Sequence, residues 1–260
     1  MKYENIQLVQ QAGAAILTLN RPEKRNAISQ KLISELLAAL DEVAQSGARV
    51  LTITGAGKAF CSGMDLDELR GVTSRSEAEN IADSQIMARL FRSVYEFRLP
   101  TIAAVNGAAI AGGCGIATLC DFTLASTEAR FGYTEVKIGF LPAIVSTFLM
   151  RQVGEKRARD LLLTGRIIGP EEAREIGLVN EIVAPDRLME RARELAALLM
   201  ENSPASLAAT KRLLAAYAGE ELDEQIRLSV EENARIRATH DFREGVSSFL
   251  EKRKPRWSSK

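Results

Sequence analysis

The chain has 260 residues, of which 46% are hydrophobic, so it can bury one sizeable core. Lysine and arginine total 34, as do aspartate and glutamate, and this balance provides no global attraction to nucleic acid or to an anionic membrane. No apolar run approaches the ~20 residues that a membrane helix needs. The N-terminal ten residues lack the apolar segment of a signal peptide. We therefore expect neither nucleic acid nor a membrane as partner.

Cysteine and histidine usage narrows the chemistry further. Cys61, Cys114 and Cys120 are odd in number and widely spaced, which favours reduced thiols in a cytoplasm over a disulfide framework. His240 is the only histidine, so most ways of binding zinc or iron are missing, and we expect no metal site. The same scarcity leaves a single candidate for a Ser–His or Cys–His catalytic pair.

Strand patterns occur throughout the first half of the chain. Apolar alternation around Gly13 predicts a hairpin of strands at residues 6–10 and 14–20. Further buried strands are predicted at residues 50–55, 101–107 and 121–126. A helix of small residues is predicted to begin near Gly113, between the last two.

Helix patterns lie between these strands. Ser29 is expected to cap a helix whose apolar face carries Leu32, Leu36, Leu40 and Val43. A longer helix is predicted over residues 77–98, ended by Pro100, with an apolar stripe of Ile86, Leu90, Val94 and Phe97. After about residue 142 nearly everything reads as helix, which predicts an α/β chain that ends in helices. The composition shift near residue 200 predicts a C-terminal helical extension and not a separate domain.

Two strand-to-helix turns carry the glycines of chemical interest, Lys58–Asp65 and Asn106–Gly115. Each places free backbone N–H groups at a helix start, where they can stabilise developing negative charge. Two such turns that converge would form an oxyanion hole; the alternative is that small residues merely allow close packing. Neither turn matches G-x-G-x-x-G, and no phosphate loop occurs, so a nucleotide-dependent enzyme is disfavoured.

Six sequence blocks in register resemble the crotonase superfamily, the enoyl-CoA hydratase/isomerase family. They are LNRPEKRNAI (19–28), GKAFCSGMDLDEL (57–69), VNGAAIAGGCGIATLCDFTLAS (105–126), ARFGYTEVKIGFLP (129–142), LLTGRIIGPEEAREIGLVNEIV (162–183) and FLEKRKP (249–255). The resemblance implies a crotonase-like spiral of ββα units over residues 1–200. It also implies that residues 201–260 form a helical trimerisation region of the same domain, and that the protein is a homotrimer or a dimer of trimers.

The same resemblance implies which residues hold an acyl-CoA substrate, with no cofactor besides the substrate's own coenzyme A. The backbone N–H groups of Ser62 and Gly112 match the family's oxyanion hole. The groups that would contact coenzyme A are Lys24, Arg25, Ala27, Ser62, Gly63, Met64, Asp65, Leu66, Gly112, Phe249 and Lys252, the last two with a neighbouring subunit as one possible source. Without the resemblance, Lys24 and Arg25 read as a solvated loop. Met64, Phe140 and Ile144 are expected near the acyl pocket.

The acid–base residues depart from the family pattern. Typical hydratases carry two glutamates, and the first of these positions is Gly115 here, whereas the second is Glu135. The frequency of activities in the family favours hydration of a 2-enoyl-CoA, with Glu135 as acid and base. One carboxylate is also enough to move a proton between Cα and Cγ, so a Δ3,Δ2-enoyl-CoA isomerase is the alternative. Thioester hydrolysis, decarboxylation and dehalogenation use the same oxyanion hole and stay open.

Four other residues near these motifs have plainer interpretations. Asp65 is expected to cap the helix that follows it, and Tyr133 reads equally as a ligand of the thioester and as a packed residue. Cys61 and Cys114 read as small buried thiols.

A non-catalytic RNA-binding or scaffold role is the other class of function, and only the basic C-terminal residues 251–260 favour it.

Overall fold

A computed structural model describes residues 3–258, in which strands alternate with helices up to residue 132 and helices predominate afterwards. The strands are β1 (Ile6–Gln11), β2 (Ala14–Leu19), β3 (Val50–Gly55), β4 (Ala59–Cys61), β5 (Thr101–Val105), β6 (Ala108–Ile110), β7 (Phe122–Ser126), β8 (Arg130–Gly132), β9 (Ile167–Ile168) and β10 (Glu181–Val183). The helices are α1 (Gln30–Gln45), α2 (Leu66–Val72), α3 (Glu77–Tyr95), α4 (Gly112–Leu119), α5 (Ala143–Val153), α6 (Glu155–Thr164), α7 (Pro170–Glu175), α8 (Leu188–Met200), α9 (Pro204–Ala216), α10 (Gly219–Ile236) and α11 (His240–Leu250).

The strands form two sheets, and from β3 to β8 successive strands join them alternately. The larger sheet has six strands in the order β1-β2-β3-β5-β7-β10, and the smaller has four in the order β4-β6-β8-β9. Apart from the antiparallel pairs β1–β2 and β8–β9, the neighbours are parallel. Each successive pair, β3–β4, β5–β6 and β7–β8, contributes one strand to each sheet before the chain enters a helix. The predicted spiral of ββα units is therefore confirmed.

Helices cover both faces of the central strands, and the side-chain alternation of β5 shows how. Ile102 and Ala104 point to one face and pack in a cluster with α8. Ala103 and Val105 point to the other face and belong to the main core. Strands covered on both faces have no polar side to show, which is why β3 and β5 read as continuous buried runs.

The first two predicted helices differ in how well the sequence described them. Ser29 caps α1 by accepting a hydrogen bond from the Leu32 amide, and the predicted apolar face of α1 is buried. The second helix, α3, ends at Tyr95 and not at residue 98, and Ile86 is 40% exposed. That part of the predicted stripe was wrong because Ser84 and other small or polar residues occupy the buried face of α3.

The smaller sheet was missed from the sequence. Its strands have only two or three residues, too few to show a period, and they lie in segments that read as loop or helix. Gly107 shows how closely β4 and β6 approach, because a Cβ at this position would lie 2.1 Å from the Lys58 carbonyl oxygen.

The C-terminal helices pack in part on the spiral. α10 contacts α3 and α5, and α11 contacts α2 and the short 3-10 helix Glu135–Ile138. By contrast, α9 contributes no buried residue. Among residues 3–258, no helix combines the length and the apolar character that would let it cross a membrane.

Candidate active site

A cavity of about 160 Å³ lies where the two glycine turns, the 134–145 segment, α3 and α10 meet. Of the predicted site residues, it brings together Ser62, Gly63, Met64, Gly112, Glu135, Phe140, Ile144 and Phe249. It does not include Lys24, Arg25, Ala27, Asp65, Leu66 or Lys252. The cavity is thus built around the predicted reacting groups and the predicted acyl pocket, whereas several predicted coenzyme A contacts lie outside it.

The two glycine turns converge, and their glycines permit the contact. A Cβ on Gly113 would contact the Cys61 carbonyl oxygen, and a Cβ on Gly63 would lie 3.2 Å from the Cβ of Ala111. Gly63 also has a φ of +90°, which favours glycine. Close packing and convergence of the two turns are therefore one feature and not two alternatives.

The Ser62 amide, expected to be one donor of the oxyanion hole, is occupied. It donates to the Arg25 carbonyl oxygen at 3.1 Å. Arg25 and Asn26 take positive φ values of 50° and 56°, and the Asn26 side chain donates to the Ala56 and Ala59 carbonyl oxygens at 2.9 and 2.8 Å. This loop is thereby fixed against the turn. An amide already paired with a fixed carbonyl is not free for a substrate, which corrects the expectation for Ser62.

The unpaired amide of this turn belongs to Met64. On either side of it, the Gly63 carbonyl accepts from the Ile28 amide at 2.7 Å and the Asp65 amide donates to the Ile28 carbonyl at 2.9 Å. The intervening Met64 N–H has no acceptor among residues 3–258. Because Met64 lines the cavity, this turn provides one free donor beside it.

The second free donor is the amide of Gly112, the other residue expected to form the oxyanion hole. Gly112 is the first residue of α4, and the first N–H groups of a helix have no partner within it. The structure pairs the preceding amide, that of Ala111, with the Gly132 carbonyl oxygen at 2.7 Å but gives Gly112 N–H no acceptor in the described part of the chain. The N-terminus of α4 adds a dipole that favours negative charge at the same place.

Glu135 is the carboxyl group on this cavity that lacks a partner. It is 9% exposed, begins the 3-10 helix Glu135–Ile138, and its Oε2 has no hydrogen-bond partner within residues 3–258. Burial raises its pKa from 4.5 to about 7, although its own backbone amide opposes the rise. A carboxyl group with this pKa exchanges protons readily near neutral pH, as an acid–base catalyst must.

Gly115, at the position of the family's first glutamate, faces hydrocarbon. A Cβ built on Gly115 would lie 2.8 Å from Cγ1 of Val145 and 3.2 Å from Cζ of Phe91. Both of those side chains line the cavity. The space that a second catalytic side chain would need at this position is therefore filled.

The plainer interpretations of neighbouring residues are confirmed. Asp65 caps α2 by accepting from the Asp67 amide at 2.9 Å, and it also pairs with Arg21 at 2.6 Å. The Tyr133 hydroxyl lies 3.1 Å from that of Thr118 and is buried, so Tyr133 is a packed residue. Burial raises the pKa of the Cys61 thiol to about 12, as it does for Cys114, which keeps both thiols protonated.

The predicted coenzyme A contacts divide by position. Lys24 is exposed and pairs with Asp67 at 3.0 Å, and Lys252 is exposed as well. Phe249 is 51% exposed and lines the cavity of its own chain. A neighbouring subunit is thus not needed to bring Phe249 to this cavity.

Sequence reasoning missed a set of charged residues on the cavity wall, namely Glu68, Arg75, Asp83 and Arg237. Arg75, Asp83 and Arg237 belong to no motif, and Glu68 lies in the 57–69 block without having been singled out. A signal was present at the end of α10, where Asn233 and the C-cap residue Arg237 follow the buried Val230 at spacings of three and seven residues, on the same helix face. Polar residues on the buried face of a helix mark a polar cavity or a buried ion pair.

Comparison with known proteins agrees with this site. The family model for enoyl-CoA hydratase/isomerase matches residues 9–260. A Thermus thermophilus protein described as a candidate enoyl-CoA hydratase is 48% identical over 96% of this chain and 99% of its own. The 2,3-dehydroadipyl-CoA hydratase of Escherichia coli is 34% identical over 94% of this chain and 95% of its own.

Solved structures show the same likeness. The crystal structure of an enoyl-CoA hydratase/isomerase from Xanthobacter autotrophicus Py2 superposes with a TM-score of 0.90, at 30% identity over 99% of this chain and 100% of that one. The chain therefore belongs to the enoyl-CoA hydratase/isomerase family of the crotonase superfamily and is an enzyme of that family.

Proposed function

We propose that the protein is a 2-enoyl-CoA hydratase that uses Glu135 as its only acid–base carboxylate. The observation that carries the proposal is that this unpartnered carboxyl group and two unpaired amides, those of Met64 and Gly112, line one cavity. The thioester oxygen would accept hydrogen bonds from both amides. Donors aimed at a developing enolate oxygen contribute about 3–4 kcal/mol each, so they supply a large part of the rate enhancement.

The proton balance closes with one carboxylate. Glu135 takes a proton from water as the water oxygen bonds to Cβ, and the electron pair of the C=C bond moves into the enolate held by the amides. Glu135 then gives its proton to Cα, the enolate collapses, and a 3-hydroxyacyl-CoA results. A pKa of about 7 lets the same group act as base and as acid within one turnover.

The names of the relatives support hydration. The Thermus thermophilus protein and the Escherichia coli protein both carry hydratase names, and each is similar over nearly the whole chain. These names describe those proteins, and their similarity to this chain makes hydration the reaction to test first.

Isomerisation of a 3-enoyl-CoA is the second candidate, and the packing at Gly115 favours it. Val145 and Phe91 fill the space where hydratases of the usual pattern carry a second glutamate. A single carboxylate can remove a proton from Cα of a 3-enoyl-CoA and return it to Cγ of the resulting dienolate, whose oxygen the same amides would hold. No water is needed for that reaction.

Wild-type protein should first be given 2-enoyl and 3-enoyl thioesters side by side, with the products identified by mass. Hydration predicts a 3-hydroxyacyl-CoA from the 2-enoyl substrate, whereas formation of 2-enoyl-CoA from the 3-enoyl substrate without water addition would replace hydratase by isomerase.

Glu135→Gln should lower kcat by about 10²–10⁴-fold, since it removes the proton carrier. Glu128→Gln, an exposed residue of the preceding turn, is the control and should keep full activity. Full activity in Glu135→Gln would contradict both reactions.

We also propose a homotrimer or a dimer of trimers, with Lys24, Arg25, Ala27, Asp65, Leu66 and Lys252 near the coenzyme A moiety. The support for assembly is that α9 leaves Leu213 and Leu214 more than half exposed, a state that a partner's surface would relieve. Three free, buried cysteines are consistent with a reducing cytoplasm. Sedimentation that finds only a ~28 kDa species would contradict the assembly.

A further inference from the structure

One wall of the cavity is polar, although an alkyl chain needs no polar wall. The wall is formed by α2, α3 and the C-terminal end of α10, and its charged side chains are Glu68, Arg75, Asp83 and Arg237. Ser84 and Asn233, which hydrogen-bond to each other at 2.7 Å, are buried on the same wall. The apolar wall of the cavity includes Ile33, Phe91 and Ile144, of which Phe91 lies on α3 as Ser84 does.

Arg237 is the most deeply buried of the charged groups, at 4% exposure. Its Nη1 donates to Asp83 Oδ2 at 2.6 Å and to Asn80 Oδ1 at 3.2 Å. The guanidinium carbon lies 5.3 Å from the ring centroid of Phe140, one of the residues of the predicted acyl pocket. Arg237 is therefore held at the cavity by fixed partners on α3 and by an aromatic face.

The other edge of the same guanidinium is unpaired. Nε is buried without a hydrogen-bond partner, and Nη2 has no acceptor among residues 3–258. Neither oxygen of Asp83 accepts from this edge: Oδ2 accepts from Nη1 of Arg237, and Oδ1 accepts from Arg75 and Gln30. An acceptor for the free edge has to come from water or from a bound molecule.

A structural ion pair explains only half of this arrangement. The contact with Asp83 accounts for Nη1, but a buried Nε–H without an acceptor destabilises the fold and is rarely left in native proteins. The four charges on the wall sum to zero, since two are carboxylates and two are guanidinium groups, so net charge does not show whether a carboxylate binds here. The unpaired Nε and Nη2 donors of Arg237 instead indicate what the wall binds. The Nε and Nη2 protons of a guanidinium point in parallel and match the two oxygens of a carboxylate.

We propose that the cavity takes acyl-CoA thioesters whose acyl chain ends in a carboxylate, and that the Nε–Nη2 edge of Arg237 binds that carboxylate. The proposal rests on the acyl-CoA function above and specifies its substrate class. Arg237 is then a specificity-determining residue, remote from the proton transfer at Glu135. Phe140 supports the guanidinium from one side while the acyl chain lies along the apolar wall.

Binding of saturated thioesters tests this class without requiring any reaction. Isothermal titration should compare pairs of equal chain length that differ only at the end: succinyl-CoA with butyryl-CoA, adipyl-CoA with hexanoyl-CoA, and suberyl-CoA with octanoyl-CoA. In at least one pair the wild-type protein should bind the carboxylate member at least ~10-fold more tightly, because a charge-assisted bidentate pair replaces an unpaired guanidinium edge.

Three substitutions at two positions of the same helical segment separate the role of Arg237 from general effects. Arg237→Met keeps length and leaves Asp83 its partner Arg75, and it should abolish the preference for the carboxylate member. Arg237→Lys keeps the charge without the parallel donors and should retain only part of it. Arg235→Met removes an exposed arginine that pairs with Glu232, and its preference should equal that of wild type.

The binding results that would refute the carboxylate subsite differ from those that would refute the acyl-CoA function. If wild type binds both members of every pair equally, or prefers the alkyl member, the carboxylate subsite is refuted while acyl-CoA binding stands. A preference that survives in Arg237→Met also refutes it. If none of the six thioesters binds, the acyl-CoA function itself fails, and the subsite fails with it.

Discussion

Two buried carboxyl groups, Asp65 and Glu135, show how partners and not burial decide the role of an acidic residue. Asp65 is 2% exposed, and its oxygens accept from the Arg21 guanidinium and the Asp67 amide. Glu135 is 9% exposed, and one of its oxygens has no partner in the described chain. Asp65 thus fixes the loop that bears Arg21 to the start of α2, whereas Glu135 is left able to take and return a proton.

Removing the Asp65 side chain should destabilise the folded protein. Asp65→Ala leaves Arg21, whose side chain is only 16% exposed, without its ion pair and removes the cap of α2. Loss of one partner of a buried pair costs about 4 kcal/mol, so the free energy of unfolding should fall by about that amount in urea titrations. Asp67→Ala, which removes an exposed carboxylate two residues later, is the control and should change it by less than about 1 kcal/mol. Equal effects of the two substitutions would show that Asp65 is not a structural partner of this kind.

Removing the charge of Glu135 should have the opposite effect and increase the free energy of unfolding above neutral pH. Burial raises the pKa of Glu135 in the folded protein to about 7 from 4.5, so the folded state loses stability relative to the unfolded one as pH rises through that interval. Above pH 7 the penalty is complete and amounts to at most about 3 kcal/mol, the free-energy equivalent of the pKa change. Glu135→Gln should therefore raise the free energy of unfolding at pH 8.5 and leave it nearly unchanged at pH 4.5. A variant that is destabilised at pH 8.5 would show that the Glu135 carboxylate has a stabilising partner.

A substitution at Gly115 should change stability least among the three. It also tests whether the enzyme hydrates or isomerises its substrate. Gly115→Glu alone should cost about 2 kcal/mol of stability, since its Cβ meets Val145 at 2.8 Å and overpacked cores lose about 1–3 kcal/mol. Gly115→Glu combined with Val145→Ala should recover stability. If a missing second carboxylate limits water addition, the double variant should also hydrate crotonyl-CoA faster than Val145→Ala alone. No gain in hydration would show that Glu135 suffices for both proton transfers.

The sequence predicted five of the six strands of the larger sheet and both glycine turns, because those features leave strong local signals. It missed β10, since nearly everything after residue 142 was read as helix. Continuous β-branched runs mark β3 and β5, and the glycines at 63, 112 and 113 stand where the turns touch. The smaller sheet was missed since its strands are too short to show alternation. Its existence follows only from the way in which successive units stack.

The site was predicted in its residues but not in its hydrogen bonds. Glu135, Gly112 and Phe140 were named from motifs, and all three line the cavity. The error at Ser62 arose because a motif shows which turn carries a free amide and not which amide of that turn is free. The Arg25 carbonyl, 37 residues earlier, decides that question, and such a long-range contact leaves no mark near position 62. Arg237 was missed for the same reason, since its partners Asn80 and Asp83 lie more than 150 residues away.

The position of a bound thioester oxygen tests the central claim most directly. A crystal structure with a non-reactive acyl-CoA analogue should place that oxygen about 3 Å from both the Met64 and the Gly112 amide nitrogens, with Cα facing the Glu135 carboxyl group. The Ser62 amide should remain bonded to the Arg25 carbonyl. An oxygen bound to the Ser62 amide, or one that reaches neither Met64 nor Gly112, would contradict the account.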